Sequence, residues 1–208
     1  MAWWPNLEEG ALYNSGGALS YWASSKAKLV PQAPELWKFT PDRKGGGVWA
    51  KEEVDASFPS ISPNAGAHTF GNGTGYYLGG ELDSGTYPAQ AYNSGYGIPG
   101  LIELDTSSNT WQNLTSAFVS QNGTASNGGA HFVPTFGLEG FAVFFGSTQP
   151  VPDNSANATV KEPFSTISVF EPQSKKWFNQ TASGPAVPDW RTNFCATGVA
   201  GDNGTYEM

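Results

Sequence analysis

The 208-residue sequence predicts an all-β chain made of repeated four-stranded antiparallel sheets. Three observations carry this reading. Gly (26 residues), Pro (15) and clusters of Asn, Ser and Thr interrupt the chain about every 8 to 15 residues, and the short runs between them are rich in aromatic and β-branched side chains. Charged residues make up only 13%, against roughly 25% in an ordinary soluble chain, which leaves too few for long solvated helices. A compound motif also returns at nearly equal steps, from Gly17 to Gly80 and from Gly80 to Gly146, and such a period marks a repeat architecture.

The motif opens with an apolar run closing on glycine: residues 11–17, 76–80 and 142–146. A polar loop follows, then an alternating strand at 36–39, 101–104 and 167–170, then a turn and one tryptophan: Trp49, Trp111 and Trp177. The chain advances by almost the same length from Gly17 to Trp49, from Gly80 to Trp111 and from Gly146 to Trp177. Gly16, Gly17, Gly79, Gly80 and Gly146 are expected to end the second strand of each unit, where crowding or a left-handed backbone excludes a Cβ. The tryptophans are expected to fill the gaps between neighbouring sheets, since an indole buries about 150 to 250 Å².

Each unit reads as four strands. In the second these fall at 67–70, 75–78, 101–104 and 110–113; in the third at 131–135, 140–145, 165–170 and 176–178. The first unit is expected to lack its inner strand, with residues 1–9 an N-terminal stub. A fourth begins at 193–198 and stops within its second strand near Tyr206. The units thus occupy about 10–58, 59–120, 121–186 and 187–208. A four-stranded sheet is too small to bury its own apolar faces, so it stacks on its neighbours, and radial stacking gives a β-propeller. The expected fold is a partial propeller over residues 10–208, about three antiparallel blades and the start of a fourth. Such an arc leaves blade faces and strand edges uncovered.

The succession of hydrophobic strand, glycine pair, aliphatic strand, turn and tryptophan resembles the kelch repeat. More narrowly, Leu36-Trp37-Lys38-Phe39-Thr40 followed by Gly47-Val48-Trp49, and Pro188-Asp189-Trp190-Arg191-Thr192-Asn193-Phe194-Cys195, resemble the fungal extracellular kelch proteins, which often carry a C-terminal membrane anchor. The resemblance runs from about Gly10 to Met208. It implies a closed propeller with more blades than this chain holds, and hence a fragment of a longer extracellular or cell-surface protein whose signal peptide and membrane anchor lie outside it. It also implies a non-enzymatic binding scaffold. The alternative within the same resemblance is a fragment of a galactose-oxidase-like copper radical oxidase, which uses two His and two Tyr ligands, one Tyr cross-linked to a Cys.

Composition narrows the partners. A net charge of −8 with only ten Lys and Arg argues against nucleic acid and against an anionic membrane surface. With no apolar run of 18 residues, no membrane contact is expected of this segment. Asn72, Asn113, Asn122, Asn157, Asn179 and Asn203 each open an Asn-x-Ser/Thr sequon. These N-glycosylation candidates outnumber what chance supplies even in a Ser- and Thr-rich chain and favour a secreted glycoprotein.

Candidate chemistry is sparse. His68 and His131 lie about one repeat apart in the inner strands of adjacent units, where they are expected to fill the central channel rather than share a metal. The single Cys195 is expected to be a small buried side chain in an apolar strand, or half of a disulfide whose partner lies beyond Met208. Glu81 and Asp83 follow a glycine pair and are expected to be solvated loop carboxylates. No catalytic residue, metal ligand or cofactor is assigned, and the binding residues are unknown. The long loops at 81–100 and 147–164, the first with Tyr87, Tyr92 and Tyr96, are the expected functional surface for a protein or glycan partner.

Overall fold

Short amphipathic strands separated by tight turns produce three four-stranded antiparallel sheets in a computed structural model describing residues 1–19, 33–55, 64–83, 85–86, 96–114, 124–150 and 159–208. The first sheet holds β1 (Ala2–Asn6), β2 (Ala11–Ser15), β3 (Leu36–Pro41) and β4 (Gly47–Lys51). The second takes β5 (Ala67–Gly71) and β6 (Thr74–Leu78), then, after a two-residue pair β7 (Glu81–Leu82) and β8 (Tyr96–Gly97), β9 (Leu101–Asp105) and β10 (Thr110–Leu114). The third repeats the plan. It has β11 (Gly129–Val133) and β12 (Phe141–Phe145), a small pair β13 (Thr148–Pro150) and β14 (Thr159–Lys161), then β15 (Thr166–Glu171) and β16 (Lys176–Thr181). A terminal hairpin pairs β17 (Val199–Ala200) with β18 (Tyr206–Glu207) around a single 3-10 turn.

Within each sheet the strands follow sequence order from one edge to the other. The first strands stand side by side, β5 packed against both β1 and β11, so the sheets fan outward from a common inner line and stack face on face.

Two expectations need correction. Residues 1–9 are not a stub, because β1 pairs along its whole length with β2, from Ala2 opposite Ser15 to Asn6 opposite Ala11, and completes the first sheet. Ala2, Trp4 and Asn6 point inward and Trp3 and Pro5 outward, a clean period of two. Pro5 does not break the strand because β1 is an edge, where a missing N–H costs no ladder bond. At the other end 193–198 is not a strand; pairing starts only at Val199.

The ladder registers explain the repeat spacing. Trp49 stands opposite Phe39, Phe39 opposite Leu12, and Leu12 opposite Pro5. The equivalent row in the second sheet is Trp111, Leu104, Gly75 and Phe70, and in the third Trp177, Phe170, Ala142 and Phe132. The strand-ending apolar residue and the tryptophan of the sequence motif are therefore direct cross-strand partners. Phe39 and Trp49 stand further apart in sequence than the other two pairs because the β3–β4 hairpin is longer, with Asp42 Oδ1 accepting from the backbone N–H groups of Lys44 (2.7 Å) and Gly46 (2.9 Å).

These rows face the preceding sheet. Trp111 lies 5.8 Å from Trp4 of the first sheet, in a cluster with Tyr13, Leu36, Tyr77 and Leu104. Trp177 packs on Phe144 and Phe170, in a second cluster with Tyr76, Leu78 and Phe132 between the second and third sheets. Polar links cross the same seams. Trp4 Nε1 donates to the Tyr76 carbonyl (3.2 Å), Asn6 Nδ2 to Thr106 Oγ1 (3.1 Å), and Lys175 Nζ reaches both oxygens of the buried Glu103 carboxylate (2.7 and 2.9 Å).

Among the described residues, no further sheet covers either end of the stack. On the outer face of the first sheet Trp49 is 46% and Trp3 42% exposed. The far face of the third sheet is partly covered by the terminal hairpin, and Phe141, Val169, Phe178, Tyr206 and Met208 line a groove of about 660 Å³ there.

Candidate functional site

Each second strand ends in glycine with a positive φ: Gly16 (76°), Gly17 (117°), Gly79 (65°), Gly80 (94°) and Gly146 (58°). At Gly79 the reason is also steric, since an added Cβ would stand 2.5 Å from the backbone N and O of Ala125 in the approach to the third sheet. Gly80 N donates to the Ala125 carbonyl (2.7 Å) and Thr124 Oγ1 to the Gly80 carbonyl (3.2 Å), so this glycine pair is a seam between blades.

The long second-to-third-strand loops leave from these glycine ends, and their feet are built rather than loose. The pairs β7–β8 and β13–β14 extend two of them as small ladders. Bridges tie each foot to neighbouring chain, Asn64 with Glu81 and Ser126 with Thr148. Leu19 N donates to the Gly85 carbonyl (2.8 Å), joining the loops of the first and second sheets. Tyr87 and Tyr92 lie outside the described residues, and Tyr96 sits in β8.

Between the first two loops is a recess of about 370 Å³, lined by Asn14, Glu35 and Trp37 from the first sheet and its loop and by Gly85 and Thr86 from the second loop. Glu35 accepts from Trp37 Nε1 (3.0 Å) and pairs with Lys51 (2.6 Å), whose hydrogen bond holds the carboxyl below its ordinary pKa. An indole beside hydrogen-bonding groups suits a polar ligand with an apolar side.

The carboxylates after the second glycine pair are less solvated than expected. Asp83 is committed to ordering its own turn, its Oδ1 accepting from Gly85 N (2.7 Å) and its Oδ2 from Asn64 Nδ2 (3.0 Å). Glu81 is half-buried, and burial together with the nearby Asp83 raises its pKa.

The two histidines do not meet. His68 stacks on Tyr77 (6.4 Å, 15°) in the seam between the first and second sheets, whereas His131 Nε2 hydrogen-bonds the Tyr206 hydroxyl (2.8 Å) beneath the terminal hairpin. Burial lowers the pKa of both. Ladder register supplies the reason. Phe70 and Phe132 occupy equivalent positions, so the counterpart of His68 in the third sheet is Ala130, opposite Phe144 as His68 is opposite Tyr77. His131 is one residue out of step, and that single step turns its imidazole to the opposite face. This pair therefore does not assemble the ligand set of a copper oxidase. Cys195 is exposed in an irregular segment, not buried in a strand.

Of the sequons, Asn72, Asn113, Asn179 and Asn203 are exposed; Asn122 and Asn157 lie outside the described residues. Sequence reading missed Trp4, the Glu35–Trp37 wall and the Lys175–Glu103 tie. The aromatic run Trp3-Trp4 ahead of the Glu8-Glu9-Gly10 turn was a usable signal for the first; the others join residues whose proximity no local pattern reveals.

No protein-family model matches the chain. It is 23% identical to a kelch repeat-containing protein of Arthroderma benhamiae, over 97% of this chain and 34% of that protein. The fold is that of a partial kelch-type β-propeller. The chain spans about a third of the length of this curated relative, and its described residues include three four-stranded blades and a terminal hairpin.

Proposed function

We propose that the chain is a non-enzymatic propeller scaffold of a secreted or cell-surface protein, presenting its second-to-third-strand loops to a protein or glycan partner. The observation that carries this reading is the recess of about 370 Å³ between the first two loops, lined by Trp37, Glu35 and Asn14 and bordered by the Leu19–Gly85 hydrogen bond. An aromatic face offers stacking area while a fixed carboxylate and amide supply direction, and rigid sheets hold both in place. The likeness to a kelch repeat-containing protein supports a scaffold role, and the six sequons support an extracellular setting.

The test is binding of the purified chain to a panel of immobilised oligosaccharides and to intact cell-wall material, with Trp37→Ala and a second variant in which residues 84–95 are replaced by a short Gly-Ser linker. Retention by one glycan class, lost in both variants while the far-ultraviolet spectrum is unchanged, supports the reading. Retention that survives both changes removes the loop face as the binding surface.

A further inference from the structure

The outer strands β4, β10 and β16 are the exposed edges of the three sheets, with no strand partner beyond them among the described residues. Such edges offer unpaired N–H and C=O groups to any other strand, and proteins blunt them with charge or bulk. The cross-strand rows make the edges directly comparable. Two residues after each row's tryptophan stand Lys51, Asn113 and Asn179, opposite Trp37, Ile102 and Ser168 of the third strands. All three are exposed. In the first sheet the edge residue is a lysine ion-paired to Glu35. In the other two it opens a sequon of one form, Trp111-Gln112-Asn113-Leu114-Thr115 and Trp177-Phe178-Asn179-Gln180-Thr181.

Side-chain orientation agrees. Asn179 Oδ1 accepts from Ser168 Oγ (3.3 Å), and Asn113 Oδ1 lies over Gly100, where an added Cβ would stand 2.4 Å from it. Each oxygen is turned in against the sheet, which leaves Nδ2 directed away. Asn72 is built the other way, its Nδ2 donating to the Glu139 carbonyl of the third sheet (2.7 Å). We propose that Asn113 and Asn179 carry N-linked glycans that guard the outer edges of the second and third blades, as Lys51 guards the first. In the modification a polyprenyl-diphosphate-linked oligosaccharide is the donor. The anomeric C–O bond breaks, a C–Nδ2 bond forms, the amide gives up one proton, and the lipid diphosphate departs. The native fold then has room for the sugar outside the edge.

The inference rests on the extracellular reading, and its test separates the two. The chain is expressed behind a cleavable leader in a eukaryotic secretory host, so that entry to the glycosylation machinery is supplied whatever the protein's natural location. Location is read separately, by fractionating cells that make the natural protein. Glycopeptide mapping is expected to find Asn113 and Asn179 occupied to a greater extent than Asn72. Thr115→Ala with Thr181→Ala, which keeps both asparagines, is expected to remove both glycans. It should also lower several-fold the concentration at which light scattering detects self-association, with the circular dichroism spectrum retained. Asn113 and Asn179 found empty in a chain glycosylated elsewhere would overturn the proposal, as would their occupancy with no change in self-association when the glycans are removed.

Discussion

The inner seam between the first and second sheets and the outer face of the first sheet carry the same cross-strand row, yet Trp111 is 7% exposed and Trp49 46%. Strand and ladder position are equivalent, and each partner is a large apolar residue; the decisive difference is the neighbouring sheet. A tryptophan at this position therefore takes its burial from the adjacent blade, not from its own sheet. The outer face of the first sheet is thus half of an interface that the molecule builds twice elsewhere.

The contrast is sharpened most by truncating the tryptophans. Trp111→Ala is expected to cost about 3 to 5 kcal/mol, and Trp49→Ala less than about 1 kcal/mol, by urea denaturation. Similar losses would erase the difference between seam and open face. Next in size are the glycines. Gly79→Ala places a Cβ 2.5 Å from two backbone atoms of Ala125 at a φ of 65° and is expected to cost about 2 kcal/mol or more. Gly73→Ala has a similar φ of 72° but nothing within 4 Å, so only the backbone term of about 1 kcal/mol remains. A smaller effect separates the ion pairs. Lys175→Met leaves the Glu103 carboxylate buried without its cation and is expected to cost about 1 to 2 kcal/mol, whereas Lys51→Met at the exposed rim should leave the denaturation midpoint in place.

The smallest effect is in pH. Burial lowers the His68 pKa below 6.5 in the folded chain, so between that lowered value and 6.5 the unfolded chain holds more protons than the folded one. Stability should fall as pH drops from 7 through this window, and His68→Gln should flatten that slope in urea midpoints measured from pH 7 to 5. An unchanged slope would place His68 outside the seam.

Much of this arrangement is legible in the sequence because it is local. Phe39–Trp49, Leu104–Trp111 and Phe170–Trp177 are hairpin partners, and the separation of hairpin partners is set by turn length, which is the same in the second and third sheets and longer in the first. The glycine ends were readable for the same reason. β1 was missed because only Met1 to Glu9 precede the first glycine-pair strand, yet five of those residues are enough for an edge strand, which also tolerates Pro5. The misplaced histidine equivalence shows the limit of spacing arguments in sheets, where an error of one residue reverses a side chain. The Glu35–Trp37 recess and the Lys175–Glu103 tie depend on how loops and blades dock, which periodicity does not encode.

Whether blades stack through the tryptophan row is tested most directly by a double-mutant cycle on Trp4 and Trp111, whose rings lie 5.8 Å apart across the seam. A coupling of about 0.5 to 1.5 kcal/mol between the two alanine substitutions is predicted, as for aromatic pairs in contact. Additivity within about 0.3 kcal/mol, the behaviour of independent sites, would contradict the stacked arrangement.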